Sequence, residues 1–97
     1  MPRPAKLGPA EVDAFLSEHA GWSRDGEALV RTFTFPDFGG ALAFAVRLGL
    51  VAERRDHHPD ILIGWGKARV LWTTHDAGGI TALDLELARA TDGLAAS

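Results

Sequence analysis

The chain contains no cysteine. Disulfides, a thiolate nucleophile and cysteine-ligated zinc are therefore excluded, and the absence fits a reducing cytoplasm. Clustered positive charge is missing too. The net charge is -3 at pH 7, and the one adjacent basic pair, Arg54-Arg55, is flanked by Glu53 and Asp56. Neither bare nucleic acid nor an anionic membrane finds its usual basic patch here. The longest apolar run falls within residues 41–52, is broken by Arg47 and is too short to span a bilayer. The opening Met1-Pro2-Arg3-Pro4-Ala5-Lys6 lacks the apolar core of a signal peptide, so a soluble, cytoplasmic protein is expected. Phosphate-binding G-x-x-x-x-G-K-[ST] and nucleophile-elbow G-x-S-x-G patterns are absent as well. Gly64-x-Gly66 lacks a third glycine at the required spacing and carries no meaning as a dinucleotide motif.

What is present is enough for one small domain, residues 1–97, with loose ends at about 1–6 and 94–97. A hydrophobic fraction of 46% permits a core. A core this small gains from assembly, which would bury further apolar helix surface.

The patterning alternates helix and hairpin. A first helix begins at Pro9 and ends near His19, stopped by Ala20-Gly21, with Val12, Phe15 and Leu16 as its apolar stripe. His19 reads as a capping residue at the negative helix end. Trp22 opens a strand, Asp25-Gly26 turns it, and residues 28–35 return. A second helix starts at Pro36-Asp37, carries Phe38, Ala41, Leu42, Ala45, Leu48, Gly49 and Ala52 on a broad face, and ends near Arg55 or Asp56 because Pro59 disfavours helix at His58. Ile61, Ile63 and Trp65 alternate along a third strand, Gly66-Lys67 turns, and residues 68–75 form a fourth. After the loop Asp76-Ala77-Gly78-Gly79, Thr81 and Asp84 have capping-box spacing, and Ile80 and Leu85 are placed for a hydrophobic staple. The expected class is α+β, order α-β-β-α-β-β-α, a four-stranded antiparallel sheet with three helices on one face.

Three of the four histidines lie in two short polar segments, His57-His58-Pro59 and Thr73-Thr74-His75-Asp76-Ala77-Gly78-Gly79. Imidazole exchanges protons near neutral pH, so this placement suggests a proton-transfer site. Glu53 and His57 are four apart and share a face if the helix reaches that far. The third and fourth strands bring His75 back towards His57 and His58, and Asp84 follows a short loop later. Taken singly, Glu53 reads as a solvated helix face, Asp84 as part of a cap and His75 as a surface residue. Trp22 and Trp65 read as core or rim aromatics. Metal is the minor reading, since no H-x-x-x-H pair exists and adjacent histidines rarely ligate one ion together.

At these residues the chain resembles the pterin-4a-carbinolamine dehydratases. Glu53-x-x-x-His57-His58-Pro59, aromatic Trp65, Thr74-His75-x-x-Gly78-Gly79 and Asp84 follow that family's signature in order. The likeness extends to Gly21-Trp22 and Phe33-x-Phe35-x-x-Phe38. Trp65 stands where tyrosine is frequent, and Trp72 is bulkier than the usual aliphatic residue. The resemblance implies a hydro-lyase that dehydrates 4a-hydroxytetrahydropterin to quinonoid dihydropterin without metal or cofactor, recycling the pterin of an aromatic amino acid hydroxylase. It makes His57 and His75 the acid-base pair, with His58 binding pterin and sharing in catalysis. It puts Glu53, Trp22, Asp84, Pro59 and Thr74 at the substrate, Glu53 and Asp84 orienting imidazoles. It also implies a homodimer or homotetramer through the helix at 36–55. Two other roles are compatible with the family: a dimerisation cofactor for a protein partner, and pterin processing in molybdenum-cofactor metabolism.

Overall fold

The central helix shows how the sequence builds this fold. Asp37 caps it, its carboxylate accepting the Gly40 N–H at 2.7 Å. The helix, α2 (Phe38–Arg55), buries Ala41, Phe44, Ala45, Leu48 and Ala52 at three- and four-residue steps. Phe38 and Leu42, expected on that same face, instead point outward with Val46 and Leu50. Packing selects the narrower stripe, because only one side of a helix can lie against a sheet.

The computed structural model describes residues 5–97. Besides α2 it contains α1 (Pro9–Glu18), β1 (Ser23–Asp25), β2 (Ala28–Thr34), β3 (Asp60–Gly64), β4 (Lys67–Trp72), a 3₁₀ turn at His75–Ala77, and α3 (Ala82–Ala96). The strands form one antiparallel sheet in the order β1-β2-β4-β3. Order and class match the sequence expectation. In the central register Leu29 faces Trp72, Arg31 faces Val70 and Phe33 faces Ala68. These positions share the helix side, where Leu29, Phe33, Val70 and Trp72 join Val12, Phe44, Leu48 and Leu87 in the core.

Three local expectations shift. Trp65 lies in the β3–β4 turn rather than a strand and is 75% exposed. The fourth strand ends at Trp72, so His75 begins the 3₁₀ turn. Lys6 at one end and residues 94–96 at the other are better held than their composition suggests. Lys6 bridges to Thr81, and the Leu7 N–H donates to the Ile80 carbonyl. Leu94 and Ala95, expected loose, continue α3 and pack on the core. Residues 1–4 of the expected N-terminal end lie outside the described residues. His19 does cap α1, its Nδ1 bonding the Phe15 carbonyl at 2.9 Å. Among the described residues no helix is long and apolar enough to cross a membrane.

Candidate active site

The site begins where α2 ends. Asp56 adopts φ 50°, ψ 42°, the left-handed conformation that glycine usually supplies at this position. Its N–H and that of His57 turn back onto the Glu53 and Ala52 carbonyls, the double bond pattern of a Schellman cap. This turn reverses the chain within one residue and directs His57 inward. Pro59 then holds His58 away from helical geometry. The adjacent histidines therefore have opposite surroundings: His57 is buried and His58 exposed.

Asp84, in the first turn of α3, meets His57 from the opposite side. Its Oδ1 accepts from His57 Nε2 at 2.7 Å, and both groups are buried. The other carboxylate oxygen accepts the Thr74 hydroxyl at 2.7 Å and the Thr81 N–H at 2.9 Å. The Thr81 hydroxyl lies 3.0 Å from that of Thr74. An acceptor surrounded by donors in this way is the arrangement an ionised carboxylate requires. Asp84 is thus both the capping residue read from the sequence and an anchor for one imidazole. With Nε2 committed to it, Nδ1 is the ring nitrogen with no hydrogen-bond partner among the described residues, and it is not fully buried.

Glu53 does not pair with His57 as helical spacing suggested. The helix stops short of His57, and the left-handed turn carries that ring away. Glu53 Oε1 instead meets His58 Nε2 at 2.6 Å, on the exposed rim. His75 arrives from β4. Thr74 exchanges backbone bonds with Gly79, and Gly78, at φ 78°, closes the 3₁₀ turn onto the His75 carbonyl. That closure sets His75 at the lip. A cavity of about 190 Å³ results, lined by His57, His58, Thr73, Thr74, His75 and Asp76.

Not every expected site residue lines this cavity. Trp22 is buried in the core, its indole N–H shared between the two Asp92 oxygens at 2.9 and 3.1 Å. Pro59 is half-buried beside the rim but does not line the cavity, and its visible effect is on the chain path. A larger cavity, about 310 Å³, is lined by Arg31, Phe33, Phe35 and Asp92 among others. Its charged groups already satisfy each other through the Arg31–Asp92 pair at 3.0 Å, and it holds no histidine. Chemistry therefore favours the smaller cavity over the roomier one. Among the described residues no three His, Cys, Asp or Glu side chains converge to hold a metal ion. Trp72 carries no site signal in the sequence, and the Thr81–Asp84 cap carries none for a buried network; only the fold sets Trp72 against His57 and brings Thr74 and His57 to that cap.

A four-stranded antiparallel sheet carrying helices on one face, with a carboxylate-anchored histidine at a cavity rimmed by two more, defines a small α+β protein with a histidine-lined cavity. Residues 5–94 match the model of the pterin 4 alpha carbinolamine dehydratase family, and the chain belongs to that family. A protein of Thermosynechococcus vestitus named "Putative pterin-4-alpha-carbinolamine dehydratase" is 47% identical over 90 residues, covering 93% of this chain and 95% of its own. One of the same name from Bradyrhizobium sp. (strain ORS 278) is 51% identical over 84 residues, 84% of each chain. Among solved structures, a transcriptional coactivator/pterin dehydratase from Brucella melitensis superposes with a TM-score of 0.87 at 34% identity, covering 93% of this chain and 98% of that one. A pterin dehydratase-like RuBisCO assembly factor of the alpha-carboxysome shares the fold alone, at TM-score 0.68 and 24% identity over 81% of this chain and 94% of its own.

Proposed function

We propose that the chain dehydrates a 4a-hydroxytetrahydropterin to the quinonoid dihydropterin, recycling the cofactor of an aromatic amino acid hydroxylase. The observation that carries this reading is the convergence of His57, His58 and His75 on one cavity, with His57 bound to a buried carboxylate. The reaction breaks the C4a–O bond, its electrons leaving with oxygen. A proton must reach that oxygen to release water. A ring nitrogen loses its proton, and the freed pair forms the new C=N bond. Two imidazoles can serve these two transfers, each such group being worth about 10²–10⁴-fold.

The geometry suits His57 to the base role. Its Nε2–H donates to Asp84, which fixes the tautomer and leaves the Nδ1 lone pair at the cavity. When Nδ1 takes the proton, Asp84 faces the imidazolium and stabilises it. His75, on the opposite lip and exposed, is assigned to protonate the departing hydroxyl and to recover its proton from solvent. His58, tied to Glu53, is assigned to hold the pterin from the rim. Stopped-flow dehydration of synthetic 4a-hydroxytetrahydropterin tests this reading, with His57→Ala and His75→Ala beside the wild type. The expected result is a rate well above the spontaneous one, lost in both variants; a wild type no faster than the spontaneous reaction sinks it.

The outer face of α2 supports a homodimer or homotetramer. Phe38, Leu42, Val46 and Leu50 recur every fourth residue and are all exposed, and a helix apolar on both sides is the pattern of a buried one. The same stripe supports the second reading, a dimerisation cofactor for another protein. Light scattering at micromolar concentration separates these: a dimer or tetramer that Val46→Glu reduces to one chain supports self-association, and a wild-type mass of one chain removes it.

A further inference from the structure

We propose that Trp72 and Thr91 are positioning residues for His57, an inference that rests on the function proposed above. Asp84 holds the imidazole by one atom of its edge. A single bond leaves the ring free to tilt about it, and the direction of the cavity-facing Nδ1 would tilt with it. The indole of Trp72 removes that freedom. The two rings are nearly parallel, 13° apart in plane, with centroids 5.6 Å apart. Trp72 is fully buried at the end of β4, so the indole is itself a fixed plate.

Its orientation is set by Thr91. The Thr91 hydroxyl donates its one hydrogen to the Leu87 carbonyl at 2.6 Å, one turn back in α3. Only its lone pairs then remain, and one accepts Trp72 Nε1–H at 3.0 Å. The order of donors is thus determined: indole to hydroxyl, hydroxyl to helix backbone. Asp84 and Thr91 are seven residues apart, two turns along one face of α3. One helix therefore grips the imidazole twice, at its edge through Asp84 and across its face through Thr91 and Trp72. Small misplacements of a reacting group can cost up to about 10²-fold in rate, so the second grip bears on catalysis. Any large apolar side chain would fill this part of the core, but an indole alone reaches Thr91 with a donor.

A double-mutant cycle on the dehydration reaction tests this. Thr91→Val is expected to lower kcat about tenfold, with KM changed less than about twofold, and Thr91→Ser to restore it. Trp72→Phe keeps a flat plate but needs no acceptor, so adding Thr91→Val to Trp72→Phe is expected to change kcat no further. Equal losses from Thr91→Val in both backgrounds would make Thr91 merely structural and overturn the proposal. NMR of the His57 ring protons gives a reading independent of turnover. The indole shifts them upfield, and Thr91→Val is expected to move them in the wild-type background but not in Trp72→Phe. Ring protons that ignore Thr91→Val overturn the positioning role, whether or not the wild type is a dehydratase. A moved signal beside an inactive wild type refutes the dehydratase reading alone, with the Thr91–Trp72–His57 linkage upheld.

Discussion

His57 Nε2 and Asp84 Oδ1 lie 2.7 Å apart although 27 residues separate them in the chain. One comes from just beyond α2 and the other from the first turn of α3, and neither is exposed to more than a trace of solvent. Asp84→Asn keeps the shape but offers a weaker, ambiguous partner. Activity is expected to fall about 10²–10⁴-fold, since the imidazole loses the acceptor that fixes its tautomer. Stability is expected to fall by about 1–3 kcal/mol, because buried donors are left poorly matched. Stopped-flow rates and urea titration measure the two effects separately; an unchanged rate removes Asp84 from the mechanism.

The Glu53–His58 pair is also short, at 2.6 Å, but its side chains are 75% and 57% exposed. An exposed ion pair contributes about 0–1 kcal/mol. Glu53→Gln is therefore expected to leave the melting temperature nearly unchanged while raising KM for the pterin, since His58 loses its orienting partner. A large loss of stability with normal kinetics would show the opposite division of labour.

Asp56 supplies the left-handed turn that aims His57 inward. Asp56→Val places a β-branched residue in that conformation and is expected to cost about 1–2 kcal/mol, with loss of activity as His57 is misdirected. Asp56→Gly, free of that strain, is expected to retain the fold. Thermal melts of the two variants give the comparison, and a Val variant as stable as Gly would mean the turn is not strained.

Behind the cavity, where its backbone carbonyl accepts the Thr73 hydroxyl at 2.5 Å, Glu27 has its carboxyl held below the ordinary carboxylate range, chiefly through its hydrogen bond to Lys6 and with help from nearby positive charge. Because the folded value is depressed, the contribution to stability is complete above the unfolded value and fades as pH falls through the folded one. Lys6→Met is expected to return Glu27 towards its ordinary titration, read by NMR of the Glu27 side chain. A titration unmoved by that substitution would assign the shift to another cause.

The histidine motif, the α-β-β-α-β-β-α order and the Thr81–Asp84 cap were legible in the sequence, because each depends on near neighbours: Pro59 limits His58, Asp25-Gly26 makes a turn, and N-cap and N3 lie within one helical turn. Partner choice was not. Helical spacing pairs Glu53 with His57, but a single left-handed residue at Asp56 hands Glu53 to His58 and delivers His57 to Asp84. The indoles were similarly opaque. In the sequence Trp22 and Trp65 share one character, core or rim, and Trp72 is marked only as bulky, whereas the fold buries the first against Asp92, exposes the second in a turn and lays the third on an imidazole. The sequence by itself determined which groups can move protons and where the chain bends, since those follow from side-chain chemistry and local sterics. Only the tertiary structure decided which imidazole is anchored, by which carboxylate and against which ring, because those contacts join segments that meet only when the sheet and α3 pack together.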